Sequence, residues 1–151
     1  MRVLIVSDEE SKYIWDHYEP DRFKGVELII SCGDLKAEYL SFLVTMINAP
    51  LFYVHGNHDI SYKVHPPEGC ECIDGKLIHF KGLRILGLGG SHRYNLCHRG
   101  FECFVAVMDR YQPTYLLHGH QHLNYGRNQR IHQYVNTKII NAFGYHILDI
   151  S

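Results

Sequence analysis

The chain has 151 residues, of which 46% are hydrophobic and 21% charged, and its formal net charge is −1. This is the composition of an ordinary globular protein, and it excludes intrinsic disorder and collagen-like repeats. At roughly 150 residues per domain, the length predicts a single domain over residues 1–151. The near-zero charge does not indicate nucleic acid or an acidic membrane surface as a partner.

The N-terminal apolar run, residues 3–6, ends directly at Ser7 and Asp8. It is too short for the core of a signal peptide, and no run in the chain approaches the roughly 18 residues of a membrane-spanning helix. We therefore expect a cytoplasmic protein without membrane contact, whose five cysteines are reduced thiols. Cys70 and Cys72 resemble half of a zinc site, but no second pair follows at zinc-ribbon spacing, which favours an ordinary strand.

The first half of the chain alternates short apolar runs with a helical pattern. Residues 2–6, 27–31 and 51–55 are continuous apolar runs, typical of strands that are buried on both faces. Apolar residues at helical spacing predict a helix over 36–47, which Pro50 ends before the third strand. This strand–helix–strand order predicts parallel pairing of the second and third strands.

The second half predicts a hairpin, a helix and further strands. Residues 77–80 and 84–88 are short strands on either side of a Lys-Gly turn. A helical face runs through 101–111 and ends at Pro113. The remaining predicted strands are 114–117, 131–135, 137–140 and 145–150.

Four of these strands end in clusters of Asp, Glu, Asn or His, at residues 8–10, 34, 57–59 and 118–122. In open α/β sheets, ligands bind at the carboxyl ends of the strands. Gly33, Gly56 and Gly119 precede the polar residues and allow the backbone to turn sharply as it leaves each strand. Alternation along the last cluster can aim two imidazoles at one point. Together the clusters predict a metal site.

Four motifs resemble, in this order, those of the calcineurin-like metallophosphoesterases: Asp8-Glu9-Glu10, Gly33-Asp34, Gly56-Asn57-His58-Asp59 and Gly119-His120-Gln121-His122. They span nearly the whole chain, and the chain looks like a small bacterial branch of poorly characterised phosphoesterases. The resemblance implies an α/β fold, a two-sheet β-sandwich flanked by helices in four layers. It also implies a dinuclear metal site at the strand ends.

The resemblance implies a ligand set for each of two divalent metal ions. The first ion would take Asp8, Glu10, Asp34 and His122. The second would take Asp34, Asn57 and His120, with Asp34 bridging the pair. Oxygen and imidazole ligands without thiolate favour manganese, iron, zinc or nickel.

The resemblance also implies the reaction, hydrolysis of a phosphomonoester or phosphodiester by metal-activated water. His58 matches the catalytic histidine of the family and would protonate the leaving oxygen or stabilise the transition state. Asp59 is the candidate to orient it. Arg93, Arg99 and Arg127 are candidates to contact the phosphate.

The chain departs from the family in two places. Glu10 stands where the family usually has a histidine. The family also has a histidine-bearing strand before its Gly-His-x-His strand, and only 28 residues separate Gly90 from Gly119 here. We therefore expect a chain shortened by about one helix and one strand, with a weaker second metal site. His92 or His98 is the candidate to replace the lost ligand.

The shortening leaves an alternative function open, that of a catalytically impaired metal-binding remnant that serves as a binding or regulatory module. A lost strand also predicts an unpaired sheet edge. Such an edge is expected either to be covered in a homodimer or to leave the region around residues 91–99 loosely ordered.

Overall fold

The computed structural model describes residues 1–90, 100–123 and 129–151. Within them the strands, in chain order, are β1 (Arg2–Ser7), β2 (Val26–Ser31), β3 (Leu51–Tyr53), β4 (Cys70–Cys72), β5 (Leu77–Phe80), β6 (Leu83–Leu86), β7 (Tyr115–His118), β8 (Ile131–Tyr134), β9 (Thr137–Asn141) and β10 (Gly144–Asp149). The helices are α1 (Lys12–Trp15), α2 (Ala37–Ile47) and α3 (Gly100–Tyr111), with 3-10 turns at Pro20–Phe23 and Asp59–Lys63. The elements expected from the sequence are all present, with bounds that differ by at most two residues.

The first sheet has the strand order β10-β1-β2-β3-β4. Strands β1 to β4 run parallel, as expected for β2 and β3, and β10 pairs with β1 in the antiparallel direction. In this register Val6 lies beside Ser31, and Ser31 lies beside Tyr53. The carboxyl ends of β1, β2 and β3 therefore meet at one edge of the sheet, and the polar motifs that follow them start from neighbouring positions.

Both faces of β1 are buried, as its continuous apolar run predicts. Leu4 and Val6 pack in the core cluster on the side of α1 and α2. Val3 and Ile5 pack in a second cluster with residues of β5, β6, β7 and β9. All four side chains are fully buried, and burial of such a side chain contributes about 1.5–3 kcal/mol each. Strand β1 is thus anchored from both sides, which makes its carboxyl end a rigid base for a site.

On the second face, the described residues form two separate small sheets. Strands β5 and β6 form an antiparallel hairpin, and β7, β9 and β8 form a three-stranded sheet in that order. No strand among the described residues joins β6 to β7, and the expected shortening stays a prediction. The candidate loose segment, residues 91–99, lies outside the described residues, and the homodimer stays a prediction.

The α/β architecture with several sheets and few helices confirms the expected fold class. The extent of the single domain, residues 1–151, stays a prediction. Cys70 and Cys72 lie in β4, the edge strand beside β3, as the strand interpretation predicted. Among the described residues, no helix is long and apolar enough to cross a membrane.

Candidate metal centre at the strand ends

Two glycines allow the loops after β2 and β3 to touch. Gly33 has a left-handed backbone (φ +95°), and a Cβ atom there would overlap the backbone of Gly56. A Cβ atom on Gly56 would in turn overlap the carboxylate of Asp34. The loop after β1 joins them, because the Asp8 N–H donates to the Gly33 carbonyl over 3.2 Å. The first three motifs are therefore packed backbone against backbone, with no room for a side chain at either glycine.

The fourth motif contacts the loop after β1 through Asp8. The His120 N–H donates to both carboxylate oxygens of Asp8, at 2.9 Å each, and the Ser7 hydroxyl donates to one of them over 2.6 Å. A Cβ atom on Gly119 would overlap the Ser7 hydroxyl. The Gly-His-Gln-His motif of the second face is thus held directly against the end of β1.

The Asp34 carboxylate connects the second motif to the third. Its Oδ1 accepts a hydrogen bond from the backbone N–H of His58 over 2.7 Å. Asp34 is half-buried, whereas the side chain of His58 is exposed. The carboxylate therefore sets the backbone position of His58 and leaves its imidazole accessible to a ligand.

Asp59 holds the same two loops together from inside. Its Oδ2 accepts the N–H groups of Gly56 and Asp34, both over 2.8 Å, and the residue is 4% exposed. Burial raises the pKa of this carboxyl group, against the opposing effect of the two N–H groups. The hydroxyl of Tyr62, in the 3-10 turn that begins at Asp59, donates to the Leu35 carbonyl and links the same two loops a second time. The orientation of the His58 ring by Asp59 is not tested by these contacts and stays a prediction.

Three predicted ligands share an uncommon backbone conformation. Asp8, Asp34 and His120 have φ of 65°, 58° and 68°, in the left-handed region. Only a few per cent of non-glycine residues adopt it, and strained backbone of this kind clusters at functional sites. Here the three residues follow three different strands and lie next to each other. The fold has kept a strained conformation at three of the six predicted ligand positions, where glycine would relieve it.

The other predicted ligands are placed less tightly. The Oε1 atom of Glu10 accepts the backbone N–H of Lys36 over 2.9 Å. The His122 ring lies 4.9 Å from the ring of Phe143, and Asn57 is half-buried. Several predicted residues lie outside the described part of the chain: His92, Arg93, His98, Arg99 and Arg127.

The donor chemistry of the site fits divalent metals, because carboxylate, amide and imidazole groups meet at one edge. In the part of the chain that the structure describes, however, no three Asp, Glu, His or Cys side chains converge closely enough to hold an ion. The carboxylates of Asp8, Glu10 and Asp34 instead accept hydrogen bonds from backbone N–H groups. Burial raises the pKa of the Cys32 thiol, which follows β2, to about 12.

Two supporting residues escaped the sequence analysis. Ser7 is fully buried at the end of β1. Its position between an apolar run and Asp8 is the feature of the sequence that could have indicated its supporting role. Asn141 is 4% exposed; its amide donates to the Gln121 carbonyl over 2.7 Å and accepts the Phe143 N–H over 2.9 Å. Its only sequence signal was a lone amide in an apolar strand, and it anchors the loop that carries His120.

The family model of the calcineurin-like phosphoesterase superfamily domain matches residues 1–142. The chain therefore belongs to the calcineurin-like phosphoesterase superfamily, as the four motifs indicated.

Solved structures with the same fold include two forms of Vps29 from Entamoeba histolytica. The single-mutant form has 19% identity and a TM-score of 0.58, covering 94% of this chain and 73% of that one. The double-mutant form has 17% identity and a TM-score of 0.61, covering 100% of this chain and 87% of that one. At these identities the likeness shows the fold alone. No curated protein sequence matches the chain.

Proposed function

We propose that this protein is a metal-dependent phosphoesterase that hydrolyses a phosphomonoester or a phosphodiester. The observation that carries the proposal is the grouping of Asp8, Asp34 and His120. Each follows a different strand, each has a left-handed backbone, and Asp8 accepts hydrogen bonds from His120. This backbone conformation is uncommon outside glycine, and these proposed ligands are three of the seven described non-glycine residues that adopt it.

Two divalent ions, when bound, would polarise the phosphate group and activate a water molecule for in-line attack. In the proposed site Asp34 is the shared ligand. Asp8, Glu10 and His122 complete the first position, and Asn57 and His120 complete the second. Manganese, iron, zinc and nickel suit this mixture of oxygen and nitrogen donors.

His58 is the proposed general acid. Its backbone is fixed by the Asp34 carboxylate, so the imidazole starts from a defined position beside a shared ligand. Its exposed side chain can approach the leaving oxygen of a bound ester and donate a proton to it. These contacts support a division of roles in which His58 would act on the substrate and Asp34 would hold the ions.

Hydrolysis of a generic aryl phosphomonoester and an aryl phosphodiester with added manganese tests the proposal. We expect turnover of at least one ester, and we expect His58→Ala to reduce it by about 10²–10⁴-fold with metal content nearly intact. His65→Ala, at an exposed histidine outside the four motifs, is the matched control. Equal loss of metal and activity in His58→Ala would instead make His58 a ligand.

Metal analysis after exhaustive dialysis tests the relative strength of the two positions. The first position has four proposed ligands, whereas the second has three, one of which is the neutral amide of Asn57. We expect one tightly held ion per chain and a second that dialysis removes. Two retained ions per chain would contradict this, and His92→Ala and His98→Ala would then show whether either residue supplies the extra bond.

The alternative, a metal-binding remnant that acts as a binding or regulatory module, is favoured by a different observation. The described side chains do not form a ligand group of three, and Glu10 is engaged with the backbone of Lys36. Tight metal binding without turnover of either ester, in a folded protein, would support the remnant over the enzyme.

A further inference from the structure

A cleft opens between α1 and the start of α2. It is lined by Glu10, Lys12, Trp15, Asp16 and Lys36, and its volume is about 240 Å³. Sites for drug-sized ligands usually have about 300–1,000 Å³. The cleft is smaller than such sites and open to solvent, so it can contact parts of a ligand without enclosing it.

The cleft adjoins the candidate metal centre. Glu10 and Lys36 lie two residues after Asp8 and Asp34, on the loops that leave β1 and β2. The hydrogen bond from the Lys36 N–H to Glu10 Oε1, 2.9 Å long, closes the gap between these loops. A ligand in the cleft thus lies beside the strand ends where the phosphate chemistry is proposed.

Trp15 gives the cleft a rigid aromatic wall. Its indole stacks on the ring of Tyr39, with centroids 5.0 Å apart and planes within 10°. It is also nearly parallel to the ring of Phe42, at 6.2 Å. Tyr39 is fully buried, so the indole rests on the core, while the half-buried Trp15 still contributes to the cleft surface. A fixed aromatic plane of this kind is the usual platform for a stacked base.

The charges of the cleft suit a ligand that carries both an anion and hydrogen-bond donors. Lys12 and Lys36 are exposed, and neither ammonium group forms a hydrogen bond or ion pair within the described part of the chain. The two ammonium groups offset the two carboxylates of the lining, Glu10 and Asp16, and each can donate to a phosphate. The exposed carboxylate of Asp16 can accept from an amino group on an aromatic ring.

We propose that the cleft binds a nucleoside phosphate, with its base stacked on Trp15 and its phosphate against Lys12 and Lys36. As a statement of substrate class this rests on the proposed phosphoesterase function. The proposal that the cleft binds a nucleoside phosphate does not rest on that function, because the cleft and its charges exist independently of any reaction at the metal centre.

Fluorescence titration tests the inference directly, since Trp15 is the one tryptophan of the chain. Titration with adenosine 5′-monophosphate, in the presence of a chelator and without turnover, is expected to quench Trp15 fluorescence to saturation. The double variant Lys12→Ala/Lys36→Ala should weaken this binding by about 10-fold or more, because it removes both charged donors. Adenosine should bind the wild type and the double variant equally. The double variant Lys24→Ala/Lys138→Ala removes two exposed lysines that do not line the cleft, so it is the matched charge control and should behave as the wild type.

Three results would overturn the inference: no saturable quenching by the nucleotide, equal affinity in the double variant, or quenching by ribose 5-phosphate as strong as that by the nucleotide. The last would identify a phosphate site without base stacking. A different result would contradict only the proposed function. If the protein binds the nucleotide but hydrolyses no ester, the cleft is a nucleotide-binding site and the protein is not a phosphoesterase.

Discussion

Asp34→Ala is expected to abolish divalent-metal binding more completely than loss of any other side chain. As the proposed shared ligand, the Asp34 carboxylate would contact both ions and offset their mutual repulsion, so its removal would affect two positions at once. Loss of a residue that only hydrogen-bonds to a ligand costs about 10–100-fold in metal affinity, and loss of a shared ligand should exceed 100-fold. Calorimetric titration with manganese measures the change.

Two variants make the Asp34 experiment specific. Asp34→Asn retains an oxygen that can accept the His58 N–H, so it separates loss of the ligand charge from loss of the loop contact. Glu38→Ala removes an exposed carboxylate from the first turn of α2 and should bind metal as the wild type does. Unchanged affinity and stoichiometry in Asp34→Ala would remove this residue from the site.

Gly56→Ala is expected to destabilise the protein and to disrupt the site together. The new methyl group would overlap the carboxylate and backbone nitrogen of Asp34, and the surrounding atoms are held by the hydrogen bonds of buried Asp59. Overpacking costs about 1–3 kcal/mol, and displacement of two hydrogen bonds adds about 1 kcal/mol each. We expect a total loss of roughly 4 kcal/mol in the free energy of unfolding, measured by urea denaturation.

Gly75→Ala is the control for Gly56→Ala. Gly75 has a left-handed backbone (φ +68°), but a Cβ atom there meets nothing within 4 Å. Only conformational strain is added, at about 1–2 kcal/mol, and metal binding should remain. If Gly56→Ala is no more destabilising than Gly75→Ala, and binds metal normally, the close packing of the loops after β2 and β3 is not required for the site.

The sequence by itself determined the elements and the place of the site. Continuous apolar runs predicted β1 and β2 to within a residue, because strands buried on both faces leave no position for polar side chains. The same reasoning located the site, since polar motifs such as Gly33-Asp34 directly follow such runs. The family assignment followed from the order of those motifs and was confirmed by the family model.

Only the tertiary structure decided how these motifs hold one another. Sequence spacing does not reveal that Asp59 accepts the amides of Gly56 and Asp34, because the acceptor and one donor lie 25 residues apart and meet only after β2 and β3 pair. Nor does it show that Asn141 supports the loop before His122. Hydrogen-bond direction depends on register and backbone angles, which packing of the whole chain sets. The division of the second face into two sheets is likewise a property of pairing, which no single segment encodes.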